Sequence, residues 1–111
     1  MIMNDIEWLA TWYGQQCDGS WEHQLGVKIE TIDNPGWWVT IDLVGTSLES
    51  RSTAALLLSE GEPPIGPHGR GGGERWLLCE IKDGKFSGAG DPTRLASIIN
   101  EFRSFAEDKG V

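Results

Sequence analysis

QQCDGSWEHQLGVKIETIDNPGWWVTIDL, residues 15–43, is the stretch whose reading decides the fold. Leu25, Val27 and Ile29 alternate with Gly26, Lys28 and Glu30, the period-two pattern of a strand with one buried face. Asp33-Asn34-Pro35-Gly36 follows as a turn: proline presets φ, glycine accepts a positive φ, and Asp or Asn side chains bond the local backbone. Trp37, Val39, Ile41 and Leu43 then alternate with Trp38, Thr40 and Asp42. A second strand therefore returns, and the pair is expected to form an antiparallel hairpin. Ahead of it, Asp18-Gly19-Ser20-Trp21-Glu22-His23 is polar and aromatic with no period, which reads as a loop carrying chemistry or contacts.

Towards the N-terminus, Asn4 is a good helix N-cap and Glu7 stands where a capping box needs it, with Met3 and Trp8 at the positions of a hydrophobic staple. Trp8, Leu9, Trp12 and Tyr13 share one face, so a helix is predicted from about Asp5 to Tyr13, ending near Gly14. This aromatic stripe reads as core packing rather than a ligand platform.

Beyond the hairpin, Gly45-Thr46-Ser47 reads as a turn and Thr53 to Leu58 as a third strand. Residues 59–74, SEGEPPIGPHGRGGGE, are too rich in proline and glycine to continue a helix or a ladder and are expected to be a loop. The glycine run is not a phosphate-binding loop, because a strand and not a helix opening with Lys-Ser/Thr follows it. His68 lies within it, which argues against a fixed catalytic role. Arg75 to Lys82 alternates as a strand, Asp83-Gly84 suits a two-residue type I′ hairpin turn, and Lys85-Phe86-Ser87 begins the returning strand. Gly88-Ala89-Gly90 is expected to release the chain from the sheet. Asp91 is then expected to cap a helix whose first position is Pro92, and Leu95, Ile98, Ile99, Phe102 and Phe105 form its apolar stripe. The fold class expected is α+β: an N-terminal helix, an antiparallel meander of about four to five strands, and a C-terminal helix, with both helices on the sheet's apolar face.

A chain of 111 residues fits one domain, which buries about two-thirds of its unfolded surface. With 39% hydrophobic and 23% charged residues it reads as globular rather than disordered. A net charge of −8 argues against nucleic-acid partners and anionic membrane surfaces, and fits either plain solubility or a basic protein partner. No apolar run approaches the ~20 residues of a membrane helix. The N-terminal MIMNDIEW has no signal-peptide pattern, so the cytoplasm is the expected location and Cys17 and Cys79 are expected to be reduced thiols.

Three chemistries compete for the opening stretch. Cys17 with His23 has the makings of a nucleophile and base, with Asp18 or Glu22 as orienting group, although such groups are usually assembled from distant parts of a fold. Cys17, Asp18, Glu22 and His23 also carry metal-ligating atoms, but without the paired spacing of a structural zinc site. A small enzyme or metal-binding domain using Cys17, Glu22 and His23 is therefore the alternative reading. Recognition uses more of the features: Trp21, Glu22 and His23, and the turn beside Trp37, set aromatic rings next to carboxylates at the sheet ends, where they suit a basic partner. The competing reading is that Trp21 and Trp37 plug the ends of the core, as Asp33 and Asn34 form the turn.

Trp12-Tyr13-x-x-Gln16-Cys17-Asp18-Gly19-x-Trp21-Glu22-His23, Gly26-Val27-Lys28-Ile29-Glu30-Thr31 and Asp33-Asn34-Pro35-Gly36-Trp37 together resemble the immunity protein 53 family of bacterial polymorphic toxin systems. Trp76, Cys79, Phe86-Ser87-Gly88 and the closing Leu95–Phe102 segment extend the resemblance over most of the chain. The sequence departs from the expected pattern at Ser20, where an acidic residue is expected, and at Leu25, where an aromatic is expected. The resemblance implies a single immunity-type domain over residues 1–111, with a flexible Gly/Pro loop at 60–73. It implies a cytoplasmic protein without cofactor or enzymatic activity that neutralises a cognate, possibly basic and nuclease-like, toxin. Asp18, Trp21, Glu22, His23, Asp33, Asn34 and Trp37 are the expected partner-binding residues.

Overall fold

The computed structural model describes residues 3–64 and 72–108. The chain runs α1 (Asp5–Gln16), α2 (Trp21–Gln24), β1 (Val27–Ile32), β2 (Gly36–Asp42), a 3-10 turn (Glu49–Arg51), β3 (Ala55–Gly61), β4 (Trp76–Lys82), β5 (Lys85–Gly90) and α3 (Leu95–Glu107). It is the expected α+β fold, with a five-stranded antiparallel sheet between two terminal helices.

The strand order is β1-β2-β5-β4-β3, which departs from a simple meander. β3, β4 and β5 do follow one another, but β5 rather than β3 lies against β2, with Val39 opposite Gly88 and Ile41 opposite Phe86. Residues 43–54 make this possible by carrying the chain past the β4–β5 turn to the far edge. They close the core as they go, burying Leu43 and Leu48. Arg51 in this connection donates to the carbonyls of Phe105, Ala106 and Asp108, satisfying acceptors that a helix C-terminus leaves open. The Asp83-Gly84 turn has positive φ at both residues, 55° and 75°, as the type I′ reading requires.

The core lies between the helices and one sheet face, and Phe102 of α3 is its hub. The Phe102 ring meets Trp12 at 5.0 Å, Phe86 at 5.2 Å and Trp8 at 5.8 Å, all edge to face. Each such pair contributes roughly 0.5–1.5 kcal/mol beyond its buried area. Arg103 ties the two helices together, donating to the Met3 carbonyl at 2.8 Å and to Asp5 at 3.1 Å.

Several boundaries differ from the sequence expectation. α1 runs through Gly14 to Gln16, because the capping box at Asn4 and Glu7 and the buried Leu9 and Trp12 outweigh the ~1 kcal/mol cost of a helical glycine. β3 continues through Ser59 and Glu60 to Gly61, taking these residues out of the expected loop. The remainder of the Gly/Pro loop, residues 65–71 with His68, lies outside the described residues. Gly88-Ala89-Gly90 does not leave the sheet: β5 runs to Gly90. A Cβ on Gly88 would stand 2.5 Å from Ile98 Cγ2, so this glycine is where α3 presses on the sheet. Asp91 does not start a helix at Pro92. Its carboxylate accepts from the N–H and Oγ of Thr93, and from the N–H of Trp76 at 2.8 Å, so it links the β5 exit to the β4 entry; α3 begins at Leu95. No helix is long and apolar enough to cross a membrane among the described residues.

Candidate functional site

The predicted residues fall into two groups at opposite ends of the β1–β2 hairpin. Six residues of β1, about 20 Å of extended chain, separate them.

The first group surrounds α2. Residues 21–24 are not loop but a single helical turn, built by reciprocal capping. Asp18 Oδ1 accepts from the N–H groups of Ser20 and Trp21 at 2.9 and 2.8 Å. The two carboxylate oxygens of Glu22 accept from the N–H groups of Asp18 and Gly19 at 3.0 and 2.8 Å. The N–H groups of Trp21 and Ser20 hold the Asp18 carboxyl below its ordinary range. That of Glu22 is lowered first by its own backbone N–H, then, against a desolvation that works upward, by those of Asp18 and Gly19. Trp21 is swung inward and is 5% exposed; its Nε1–H donates to the Val44 carbonyl at 2.9 Å, and its ring packs edge-on against Trp12 at 6.3 Å. His23 is exposed, as are Asp18, Gly19 and Ser20, while Glu22 is half-buried. The run Asp-Gly-Ser-Trp-Glu-His is thus largely a device that plants one tryptophan in the core and turns the next side chains outward.

The geometry does not join Cys17 to His23. The Cys17 thiol donates to the carbonyl of Tyr13 at 3.3 Å, one helical turn back, and Asp18 and Glu22 are engaged with backbone. No group of three or more His, Cys, Asp or Glu side chains is arranged to hold a metal ion among the described residues. Cys79 faces the core with no exposure, and burial first, then the charges of Glu101 and Glu60, push its thiol up to about 12. It is not a nucleophile at neutral pH.

The second group is the β1–β2 turn. Asp33 is exposed, Asn34 is half-buried and precedes a cis Pro35, and Trp37 is half-buried against the core with its Nε1–H donating to the Pro92 carbonyl at 3.0 Å. Asn34 and Pro35 border a hollow of about 410 Å³ shared with Glu74, Trp76 and Thr93.

Between the two groups lies the sheet face turned away from the helices, which sequence reasoning passed over. Its strand residues alternate with the core set: Lys28, Glu30, Trp38, Thr40, Leu78, Glu80, Ser87 and Ala89. A shallow hollow of about 610 Å³ runs over them, walled at one side by Pro63 and Pro64. Trp38 is held in place by a bond from Nε1–H to Ser87 Oγ at 3.1 Å, is half-buried, and lines the same hollow as Leu78 across Ala89. The signal was present in the sequence, since a tryptophan at the polar phase of the Trp37–Leu43 strand has no core to enter.

These observations define a two-layer α+β domain whose sheet keeps one face free of helices among the described residues. The chain belongs to the immunity protein 53 family, whose model it matches over residues 6–107. Membership gives it an immunity role. No curated protein and no solved structure matches it.

Proposed function

We propose that this protein neutralises a cognate bacterial polymorphic toxin by binding it and covering the toxin's active site or an adjacent surface. It acts as a binding protein and not as an enzyme, in the cytoplasm, without a cofactor. The family match over residues 6–107 is the observation that carries this reading. The geometry supports it at the α2 corner, where Asp18, Glu22 and His23 are presented together, and at the opposite turn, with Asp33, Asn34 and Trp37. Trp21 serves the contact from inside, by fixing the corner. A net charge of −8 fits a toxin domain with a basic, nuclease-like surface.

Co-expression with the toxin encoded beside this gene tests the reading: growth is restored, and the two purified proteins form a complex. Absence of a complex at micromolar concentrations overturns it. His23→Ala is the cleanest single probe of the α2 corner, because His23 is exposed and builds no part of the turn. Glu22→Lys removes two backbone acceptors along with the charge, so it is interpretable only beside a melting curve.

A further inference from the structure

We infer that the helix-free sheet face is the main docking surface for the toxin, with the α2 corner and the β1–β2 turn as its two ends. This rests on the immunity reading and names the surface through which it works. The argument begins with continuity. The central hollow over Trp38 and Leu78 shares Lys28, Thr40 and Lys85 with a hollow of about 320 Å³ bounded by Glu22 and His23. At its other end it shares Trp76 with the hollow bounded by Asn34 and Pro35. The two predicted patches, separated by the length of a strand, are therefore ends of one strip.

Size points the same way. Five strands about 4.8 Å apart and some seven residues long span a face of roughly 20 by 20 Å. That is about half of the ~800 Å² that one partner contributes to a standard interface, so the end hollows are needed to complete it.

Charge then specifies the occupant. Every lysine among the described residues, namely Lys28, Lys82 and Lys85, lines the central hollow together with Glu30, Glu80 and Asp83, so this face is balanced in charge within a chain of net charge −8. Lys85 pairs with Asp42 at 3.8 Å, while Lys28 and Lys82 enter no ion pair among the described residues. Of the described arginines, Arg51, Arg94 and Arg103 are tied to carboxylates that hold helices or loops in place, while Arg75 lines the hollow at the β1–β2 turn. Trp38 stands opposite Glu30 and Ala89 on the neighbouring strands, and Lys28 and Lys82 stand further along the face. That arrangement suits a toxin segment that lays an apolar side chain on Trp38 and Leu78 and carries charges of both signs around it, with carboxylates placed for Lys28 and Lys82. The partner surface is thus an apolar contact ringed by charges of both signs, with acidic groups where it meets Lys28 and Lys82.

The test measures affinity for the purified toxin domain encoded beside this gene, using wild-type protein, Trp38→Ala and Lys28→Glu/Lys82→Glu. Lys28 and Lys82 are exposed, so the melting curve of the lysine variant is expected to stay close to wild type, whereas Trp38 is half-buried and bonded to Ser87 and its variant is read beside a melting curve. Each is expected to bind about 30-fold more weakly or worse, the loss typical of an interface hot spot. The lysine variant remains decisive if Trp38→Ala fails to fold. Wild-type binding with undiminished affinity in both variants overturns this inference and leaves the immunity reading intact; no binding by wild type overturns the immunity reading itself. Light scattering on the protein alone supplies the remaining outcome. A dimer that Lys28→Glu/Lys82→Glu dissociates means that a second copy occupies this face, and the inference fails.

Discussion

Asp91 and Cys79 are the buried titratable side chains of the sheet, and they set opposite limits on its stability. Asp91 is 2% exposed. Burial works to raise its pKa, but bonds from the Thr93 side chain and N–H, the Trp76 N–H and Arg94 outweigh that and hold it well below the usual carboxylate range. A carboxyl lowered on folding stabilises the fold above its unfolded value, near pH ~4, and the contribution is lost as pH falls below that. Denaturant midpoints are expected to drop from pH 4 to pH 2 more steeply in wild type than in Asp91→Asn. Asp18 and Glu22 are present in both proteins, so the difference in slope reports Asp91. At neutral pH, Asp91→Ala strands the Trp76 N–H and leaves Arg94 with Glu60 as its remaining carboxylate, a loss expected to cost about 1–3 kcal/mol. Cys79, pushed up to about 12, behaves in the opposite sense. Its contribution is complete below the unfolded value of ~8.5 and disappears as pH rises from there towards 12, at up to ~1.4 kcal/mol per pH unit. Cys79→Ala is expected to abolish that alkaline decline in chemical denaturation; an unchanged decline assigns it to other groups.

At the scale of elements, β5 is where sequence and structure part most clearly. The Gly88-Ala89-Gly90 run looks like a breaker, yet it is the end of the central strand, because a strand under a helix needs small residues where the two backbones approach. Gly88→Val, with good strand propensity but a side chain directed at Ile98 and Phe86, is expected to destabilise by about 1–3 kcal/mol or more. The reading is checked by thermal melting, and a variant as stable as wild type contradicts it. The β1–β2 hairpin, the type I′ turn and the α3 stripe were legible because each is written in local spacing. The order of the strands was not, because it depends on where residues 43–54 carry the chain. The α2 turn was missed for a related reason: four residues have no period, and what builds them is reciprocal bonding between Asp18 and Glu22. Nothing in local spacing separates a carboxylate that caps from one that faces a partner.

Across the molecule, Arg51 and Arg103 brace α1, α3 and the connection between β2 and β3, as their planar, multidentate heads allow, while the described lysines stand on the helix-free face. The family was legible from the Asp18–His23 run, and the model match over residues 6–107 agrees with it. The face between the two predicted patches was legible only in part: alternation puts Trp38 and Leu78 at the outward phase of their strands, but that β2 and β4 bring them over one hollow depends on the strand order. The central claim is that this face meets the toxin, and lysine footprinting of the protein with and without the toxin domain tests it most directly. Lys28 and Lys82 are expected to lose most of their acylation rate in the complex; if both react as fast in the complex as in the free protein, the toxin is held elsewhere.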